Sequence, residues 1–277
     1  MSEQHYLNGS WVGSDQLVIS AFDLAVVRGF GIFDFFRTYN NTPFRIDDYL
    51  ERFEKSAELL SLEIPISIAK IKEVVKEGIA KNNLPETGIR IILTGGVSED
   101  YITPGQPTLM IIFKPAKTPP PEVYSKGVKV ITWPGHRIMP EAKTLNYSEA
   151  VLGVRTAHER DAFEAIYTDT ATGELFEGTG TNLFAVKDGV LLTPPEGVLP
   201  GVTRQVVIEL AGQLGIKFQE HHLFLKDVPT FDEMFITSSS RQVVPVIQID
   251  ETTVADGTVG KISTQLKRAF EELVTID

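Results

Sequence analysis

Between residues 46 and 82 the apolar positions recur three and four apart: Leu50, Phe53, Ala57 and Leu60, then Ile68, Ile71, Val75 and Ile79. That spacing lines one face of a helix. It predicts a helix over about 46–62, capped by Asp47 or Asp48, and a second over about 67–82, capped by Ser67. Other segments read differently. Residues 30–39 are aromatic and β-branched, which suits a strand, as do 88–93 and 108–113. Shorter strand signals stand at Trp11-Val12-Gly13 and Leu17-Val18-Ile19.

A proline-rich stretch divides the chain. Residues 114–122 carry four prolines, which disfavour a helix and predict an extended connector. The expected organisation is a small N-terminal α/β domain over 1–117, a linker over 118–123 and a larger C-terminal domain over 124–277. In the second part strands are predicted at 128–133, 163–168, 174–177, 182–187, 190–193, 217–222, 233–238 and 245–249. Helices are predicted at 146–160 (with Asn146 as cap), 202–214 and 261–274. Helices and strands mix without a steady βαβ rhythm, so the fold class expected is α+β.

Composition narrows the chemistry. The chain has 277 residues, a net charge of −11 and no cysteine. An acidic balance argues against nucleic acid and anionic membranes as partners. The lack of cysteine excludes disulfides, thiolate metal sites and cysteine nucleophiles. The first residues lack the basic start and apolar core of a signal peptide, and no apolar run approaches the roughly 20 residues of a membrane helix, so a cytoplasmic protein is expected. The five histidines show no metal spacing, and no metal is expected. Gly29-Phe30-Gly31 lacks the third glycine of a dinucleotide fingerprint, and neither a nucleophile elbow nor a phosphate loop of the GxxxxGK[ST] kind occurs.

Four segments carry candidate chemistry: Glu-Ala-Lys-Thr-Leu-Asn-Tyr at 141–147, Leu-Phe-Glu-Gly-Thr-Gly-Thr-Asn at 175–182, Leu-Pro-Gly-Val-Thr-Arg at 199–204, and Thr-Ser-Ser-Ser-Arg-Gln-Val-Val-Pro-Val at 237–246. Together they offer what pyridoxal phosphate needs: an amine, a partner for the ring nitrogen and a cradle for a dianionic phosphate. Lys143 is the candidate amine, against a plain solvated lysine. Glu177 is the candidate ring partner, against an ordinary strand-end glutamate; Glu174 lies three residues earlier. The glycines after Glu177 let backbone approach a flat ring. Val202 and Thr203 open an amphipathic helix whose N–H groups and dipole favour a phosphate, against an ordinary threonine cap. Ser238 and Ser239 supply hydroxyls at a strand end, against a polar turn. Arg52 is a candidate charge partner for the phosphate, against a surface ion pair.

With these segments in hand, the sequence resembles the fold-type IV pyridoxal-phosphate enzymes: D-amino-acid transaminases, branched-chain aminotransferases and aminodeoxychorismate lyases. The likeness runs from Tyr6-Leu-Asn-Gly to Val244-Pro-Val, and its most specific piece is Leu175–Phe184, close to the family's Glu-x-x-x-x-Asn-x-Phe signature. It implies that Lys143 is the Schiff-base lysine, that Arg52, Val202, Thr203 and Ser239, with Ser238 beside it, hold the phosphate, and that Glu177 faces the ring. It also implies two domains with the cofactor in the cleft between them, and a homodimer in which a loop of one subunit completes the other's site. The implied reaction is transamination between an amino acid and a 2-oxo acid, with Lys143 moving the proton.

One part of the family's pattern is missing. D-amino-acid transaminases hold the substrate carboxylate with an arginine in a Thr-Arg-Gly turn and a histidine shortly after. Here Gly95 stands at that arginine position and no histidine follows. Arg28 and Arg90 are the candidate replacements, since an arginine pair grips a carboxylate. The alternatives are a turn charge for Arg28 and a strand-face ion pair for Arg90. The expectation is a D-amino-acid transaminase exchanging amino groups of D-alanine and D-glutamate with 2-oxoglutarate and pyruvate. A branched-chain L-amino-acid aminotransferase is the alternative. The lyase, whose hydroxyl Thr38 resembles, comes third.

Overall fold

The computed structural model describes residues 3–276. It divides into two compact units. One runs to Lys117 and takes in Ala142–Tyr147; the other comprises Thr118–Glu141 and Ser148–Ile276.

In chain order the first unit holds β1 (Gln4–Leu7), β2 (Ser10–Gly13), α1 (Leu24–Arg28), β3 (Gly31–Tyr39), β4 (Thr42–Pro43), α2 (Ile46–Leu59), α3 (Ile68–Asn82), β5 (Thr87–Thr94) and β6 (Leu109–Pro115). Its six strands form one antiparallel sheet in the order β2-β1-β6-β5-β3-β4. The apolar stripes of α2 and α3 meet this sheet and form the core, in which Phe36, Phe53, Ile71, Ile89 and Phe113 are fully buried. At Gly78 of α3 a Cβ would come within 2.1 Å of the Phe113 ring, so the helix lies flat on β6.

The second unit holds α4 (Pro121–Lys126), β7 (Val128–Pro134), α5 (Ser148–Glu159), β8 (Glu164–Thr168), β9 (Glu174–Gly178), β10 (Asn182–Lys187), β11 (Val190–Thr193), α6 (Val202–Gln213), β12 (Phe218–Glu220), β13 (Leu223–Phe224), a 3-10 turn (Leu225–Thr230), β14 (Glu233–Ser238), β15 (Gln242–Ile249), β16 (Thr252–Thr253) and α7 (Lys261–Ile276). Its strand order is β12-β11-β10-β14-β15-β7-β8-β9-β13, and β9 also pairs with β10. The path β10-β14-β15-β7-β8-β9 therefore returns to β10 and closes. The closing pair is Glu177 opposite Asn182. Closure leaves no free edge among these six strands and gives residues at the seam fixed neighbours on both sides.

Several local readings change. The proline stretch does not stay extended: Pro121 opens α4, because a proline at the first helical position loses no hydrogen bond. No strand forms at 17–19. A short helix at Leu24–Arg28, capped by Asp23, was not signalled by periodicity, since five residues are too few to show one. Arg45, in a left-handed conformation, stands at the N-cap of α2 in place of Asp47 or Asp48, which lie in its first turn. Ser67 does cap α3, accepting from the Lys70 N–H. The region 217–222 breaks into β12 and β13. No helix is long and apolar enough to cross a membrane among the described residues.

Candidate functional site

Lys143 gets its backbone position from strand pairing rather than from a free turn. Its carbonyl accepts the Phe33 N–H at 2.9 Å, and Leu145 N–H donates to the Gly31 carbonyl at 2.9 Å. Thr144 bridges Ile32. The Lys143 N–H donates to Ser56 Oγ, itself bonded to the Arg52 carbonyl on α2. Gly31 makes this approach possible. With φ of 154°, a Cβ there would lie 2.6 Å from the Leu93 carbonyl oxygen and 2.7 Å from Leu145. Segment 142–147 is thus sewn to β3 and α2, and this is why it joins the first unit.

The Lys143 amine lies 4.9 Å from the centre of the Phe33 ring, and the Arg90 guanidinium lies 4.8 Å from the same ring. Tyr147 meets Phe33 edge-on at 5.3 Å. Burial lowers the Arg90 pKa, with the charges of Tyr147 and Asp34 opposing that fall. Arg52 is buried and makes a two-pronged ion pair with Asp34, at 2.9 and 2.6 Å. Burial alone would lower its pKa, but the Asp34 charge and hydrogen bonds outweigh this and raise it. Arg52 therefore has a carboxylate partner inside its own unit, one that spacing along the chain did not reveal. Arg28 ends α1, exposed, with its guanidinium on the Val27 carbonyl at 2.8 Å. Among the described residues no contact joins Arg28 to Arg90.

In the second unit Glu177 sits at the seam of the closed sheet. Its Oε2 accepts from Asn182 Nδ2 at 3.0 Å and from the Leu199 N–H at 3.0 Å. Its Oε1 lies 3.6 Å from the Arg137 guanidinium. Glu174, the residue that could be confused with it, instead pairs with His222 near the surface. Asn182 also donates to the Leu199 carbonyl at 2.9 Å, and a Cβ on Gly201 would fall 1.9 Å from Asn182 Oδ1. Gly201 is the N-cap of α6 and offers no side chain to the helix start, so the end that Val202 and Thr203 open is bare. Cross-strand pairing places Thr237 beside Asn182, with Ser238 next along β14. Ser238 Oγ, Thr237 Oγ1 and Thr181 Oγ1 are buried hydroxyls with no hydrogen-bond partner among the described residues.

These features fit a phosphate and a pyridine ring. Buried hydroxyls without partners are costly unless a ligand satisfies them. A bare helix start favours an anion. Glu177, immobilised by two donors, presents a fixed acceptor. Sequence reasoning missed Asp34, Arg137 and Tyr147. Tyr147 closes the quoted motif at 141–147, whereas Asp34 and Arg137 carry no local signal.

The sequence pattern of the Amino-transferase class IV family matches residues 31–249. A provisionally named branched-chain-amino-acid aminotransferase of Methanocaldococcus jannaschii is 36% identical over 280 residues, covering 98% of this chain and 96% of its own. A D-alanine aminotransferase of Staphylococcus epidermidis is 32% identical over 277 residues, covering 97% of each. The branched-chain amino acid aminotransferase of Escherichia coli superposes with a TM-score of 0.93 at 28% identity, covering 99% of this chain and 95% of that one. Another branched-chain amino acid aminotransferase, solved with pyridoxamine 5'-phosphate, superposes with a TM-score of 0.92 at the same identity of 28% and the same coverage. The α+β architecture is therefore the fold-type IV one, and the chain belongs to the class IV aminotransferases, enzymes that work with pyridoxal phosphate.

Proposed function

We propose that this enzyme exchanges the amino group between a D-amino acid and a 2-oxo acid, with D-alanine and D-glutamate as donors and 2-oxoglutarate and pyruvate as acceptors. Bound pyridoxal phosphate supplies the electron sink that makes the substrate's α-proton acidic. The Lys143 amine takes that proton and returns one to complete the transfer, as general base and then acid. Glu177, held by Asn182 and Leu199, serves the ring nitrogen. Val202 and Thr203 at the bare start of α6, the hydroxyls of Ser238 and Ser239, and the charge of Arg52 serve the phosphate.

The observation that carries the D reading is the 32% identity to the Staphylococcus epidermidis D-alanine aminotransferase over 97% of each chain, and the carboxylate grip must then differ from the usual one. At Gly95 even a Cβ would lie 2.6 Å from the Phe30 ring and 3.1 Å from Leu24, so no arginine side chain is housed there. Arg90, five residues earlier, instead brings its guanidinium to the Phe33 ring that Lys143 also approaches. Arg90 is the proposed carboxylate grip, with Arg28 as its second cation. Val18, Phe22, Val26, Val97, Tyr101 and Ile102 are all exposed, and the Phe22 and Tyr101 rings lie 6.3 Å apart. A homodimer that covers these side chains would bury apolar surface, and sedimentation at micromolar concentration tests it.

The second reading is branched-chain L-amino-acid transamination. It is favoured by the 36% identical Methanocaldococcus jannaschii relative and by the aromatic wall of Phe33 and Phe35 under Arg90. Titration with D-glutamate, D-alanine, L-leucine and L-glutamate separates the two. Under the D reading the visible band of the bound cofactor fades with the D-acids only. Fading with L-leucine alone moves the enzyme to the branched-chain group.

A further inference from the structure

Glu164 is the first residue of β8 and is completely buried, yet it carries a carboxylate. Its Oε1 accepts from the Thr179 hydroxyl, and its Oε2 pairs with the Arg241 guanidinium. The Ala165 N–H also points at Oε1, at 3.4 Å. No role assigned above uses this group. Its partners are the informative part. Thr179 lies in the turn that follows Glu177. Arg241 lies in the turn between β14 and β15, whose central residues are Ser239 and Ser240. The two turns supply the ring partner and the serine hydroxyls.

Arg241 is fixed at both ends. Its N–H closes the turn onto the Ser238 carbonyl at 3.2 Å, and its carbonyl accepts from the Tyr124 hydroxyl at 3.1 Å. Its guanidinium lies over the Phe163 ring at 5.0 Å. The 178–181 turn rests directly on the carboxylate: a Cβ at Gly178 would lie 3.1 Å from Glu164 Cγ and 2.0 Å from Thr181 Oγ1. Each turn also carries a buried hydroxyl with no partner among the described residues, Thr181 on one side and Ser238 on the other. Glu164 is fully buried while the Arg241 side chain is partly exposed, and an ion pair that desolvates a carboxylate in this way adds little to stability compared with an apolar pair of similar volume.

We propose that Glu164 and Arg241 form a positioning bridge that locks the 178–181 and 238–241 turns at the separation pyridoxal phosphate requires. Both residues act through the turns and touch no reacting atom. The proposal rests on Glu177, Ser238 and Ser239 being cofactor residues. Breaking the bridge leaves the two turns joined only at their bases, through the Asn182–Thr237 strand pairing, so that Thr181 and Ser238 are less firmly placed and cofactor affinity falls.

The test compares apoprotein stability with cofactor affinity. Arg241→Met alone leaves a buried carboxylate unpaired and is expected to destabilise the fold. The double variant Glu164→Gln/Arg241→Met removes both charges and keeps an acceptor for Thr179. It is expected to melt near the wild-type apoprotein yet bind pyridoxal phosphate about 10–100-fold more weakly, as loss of an outer supporting partner does at other bound groups. The visible circular dichroism of the bound cofactor should also shrink, a change that global stability does not produce. A double variant with wild-type apoprotein melting and wild-type affinity overturns the proposal. Should the double variant fail to fold, Arg241→Lys decides: it keeps Glu164 paired but shortens the reach, so weakened binding supports the bridge and unchanged binding overturns it. Ser238→Ala/Ser239→Ala and Glu177→Ala are measured alongside. If they leave affinity unchanged, it is the assignment of the cofactor residues that fails, and the bridge with it.

Discussion

The two units organise their functional groups by opposite means. In the first unit charge is concentrated and paired across distance in sequence. Asp34 on β3 holds Arg52 on α2, while Arg90 on β5 and Lys143 from the 142–147 segment share the Phe33 ring. In the second unit the groups are mostly neutral and arise from short contiguous motifs. Glu177 and Asn182 face each other at the seam of a closed sheet, and hydroxyls and a bare helix start lie beside them. The cations of the first unit stand on or against an open antiparallel sheet. The fixed acceptor and the hydroxyl donors sit on a closed one, where a shift at any strand is resisted by its neighbours on both sides. The first unit is therefore expected to fail by losing charge balance, the second by losing geometry.

The largest effect should come from removing the proposed reacting amine. Lys143→Ala is expected to lower transamination by about 10²–10⁴-fold, the contribution of a positioned general acid–base. Its backbone bonds to Phe33 and Ser56 use main-chain atoms, so apoprotein stability should hold. Single-turnover kinetics beside a thermal melt reads both. A variant that keeps wild-type turnover would remove Lys143 from the site and end the comparison.

Next comes the charge balance itself. Asp34→Ala strands a buried guanidinium, and breaking a buried pair by removing one partner costs about 3–5 kcal/mol. Asp34→Ala/Arg52→Met should recover most of that loss. Urea unfolding measures it. Added pyridoxal phosphate sharpens the result: if Arg52 also serves the phosphate, the cofactor should rescue Asp34→Ala but not the double variant.

The geometric counterpart is Asn182→Ala. It deletes one donor to Glu177 and one to the Leu199 carbonyl and leaves buried acceptors behind, a cost of about 1–3 kcal/mol. Cofactor affinity should fall with it, because Glu177 loses half of its Oε2 support. Equal stability loss with unchanged cofactor affinity would mean that the seam supports the fold alone.

This contrast also explains what could be read from the chain. The second unit's candidate groups could be picked out because 175–182, 199–204 and 237–246 are compact motifs whose residue types suggest their chemistry. Strands 182–187, 190–193 and 233–238 match the expected bounds for the same reason: apolar runs between clear turns. The first unit's site was only half legible. Lys143 stood out, but Asp34 is an isolated acid within an aromatic strand, and its pairing with Arg52 depends on α2 crossing β3. The bare cap of α6 shows the same limit on a smaller scale. Thr203 reads as a capping residue, yet Gly201 takes that position because Asn182 leaves no room for a side chain there. The segment 142–147 lies beyond the proline stretch, so no composition boundary could assign it to the unit whose strand it pairs with.

The smallest expected effect separates the units by acid. The four histidines of the second unit, His136, His158, His221 and His222, are exposed. The first unit has His5 alone, and it is buried, with Nε2 on Ser14 Oγ at 2.9 Å and Nδ1 accepting the Phe113 N–H at 3.3 Å. A proton on Nδ1 would break that second bond. Burial, then the nearby Lys114 charge, lowers the His5 pKa below 6.5, with Glu3 opposing. The unfolded chain therefore binds a proton at a higher pH than the folded one. Stability from this group is complete above 6.5 and declines as the pH falls from 6.5 toward the lowered folded value. Hydrogen exchange at pH 7 and at pH 5.5 should show β1 and β6 losing protection before β10 and β14. In His5→Gln, which does not titrate, that difference between the strands should vanish, and a difference that survives the substitution would place the acid-sensitive group elsewhere in the first unit.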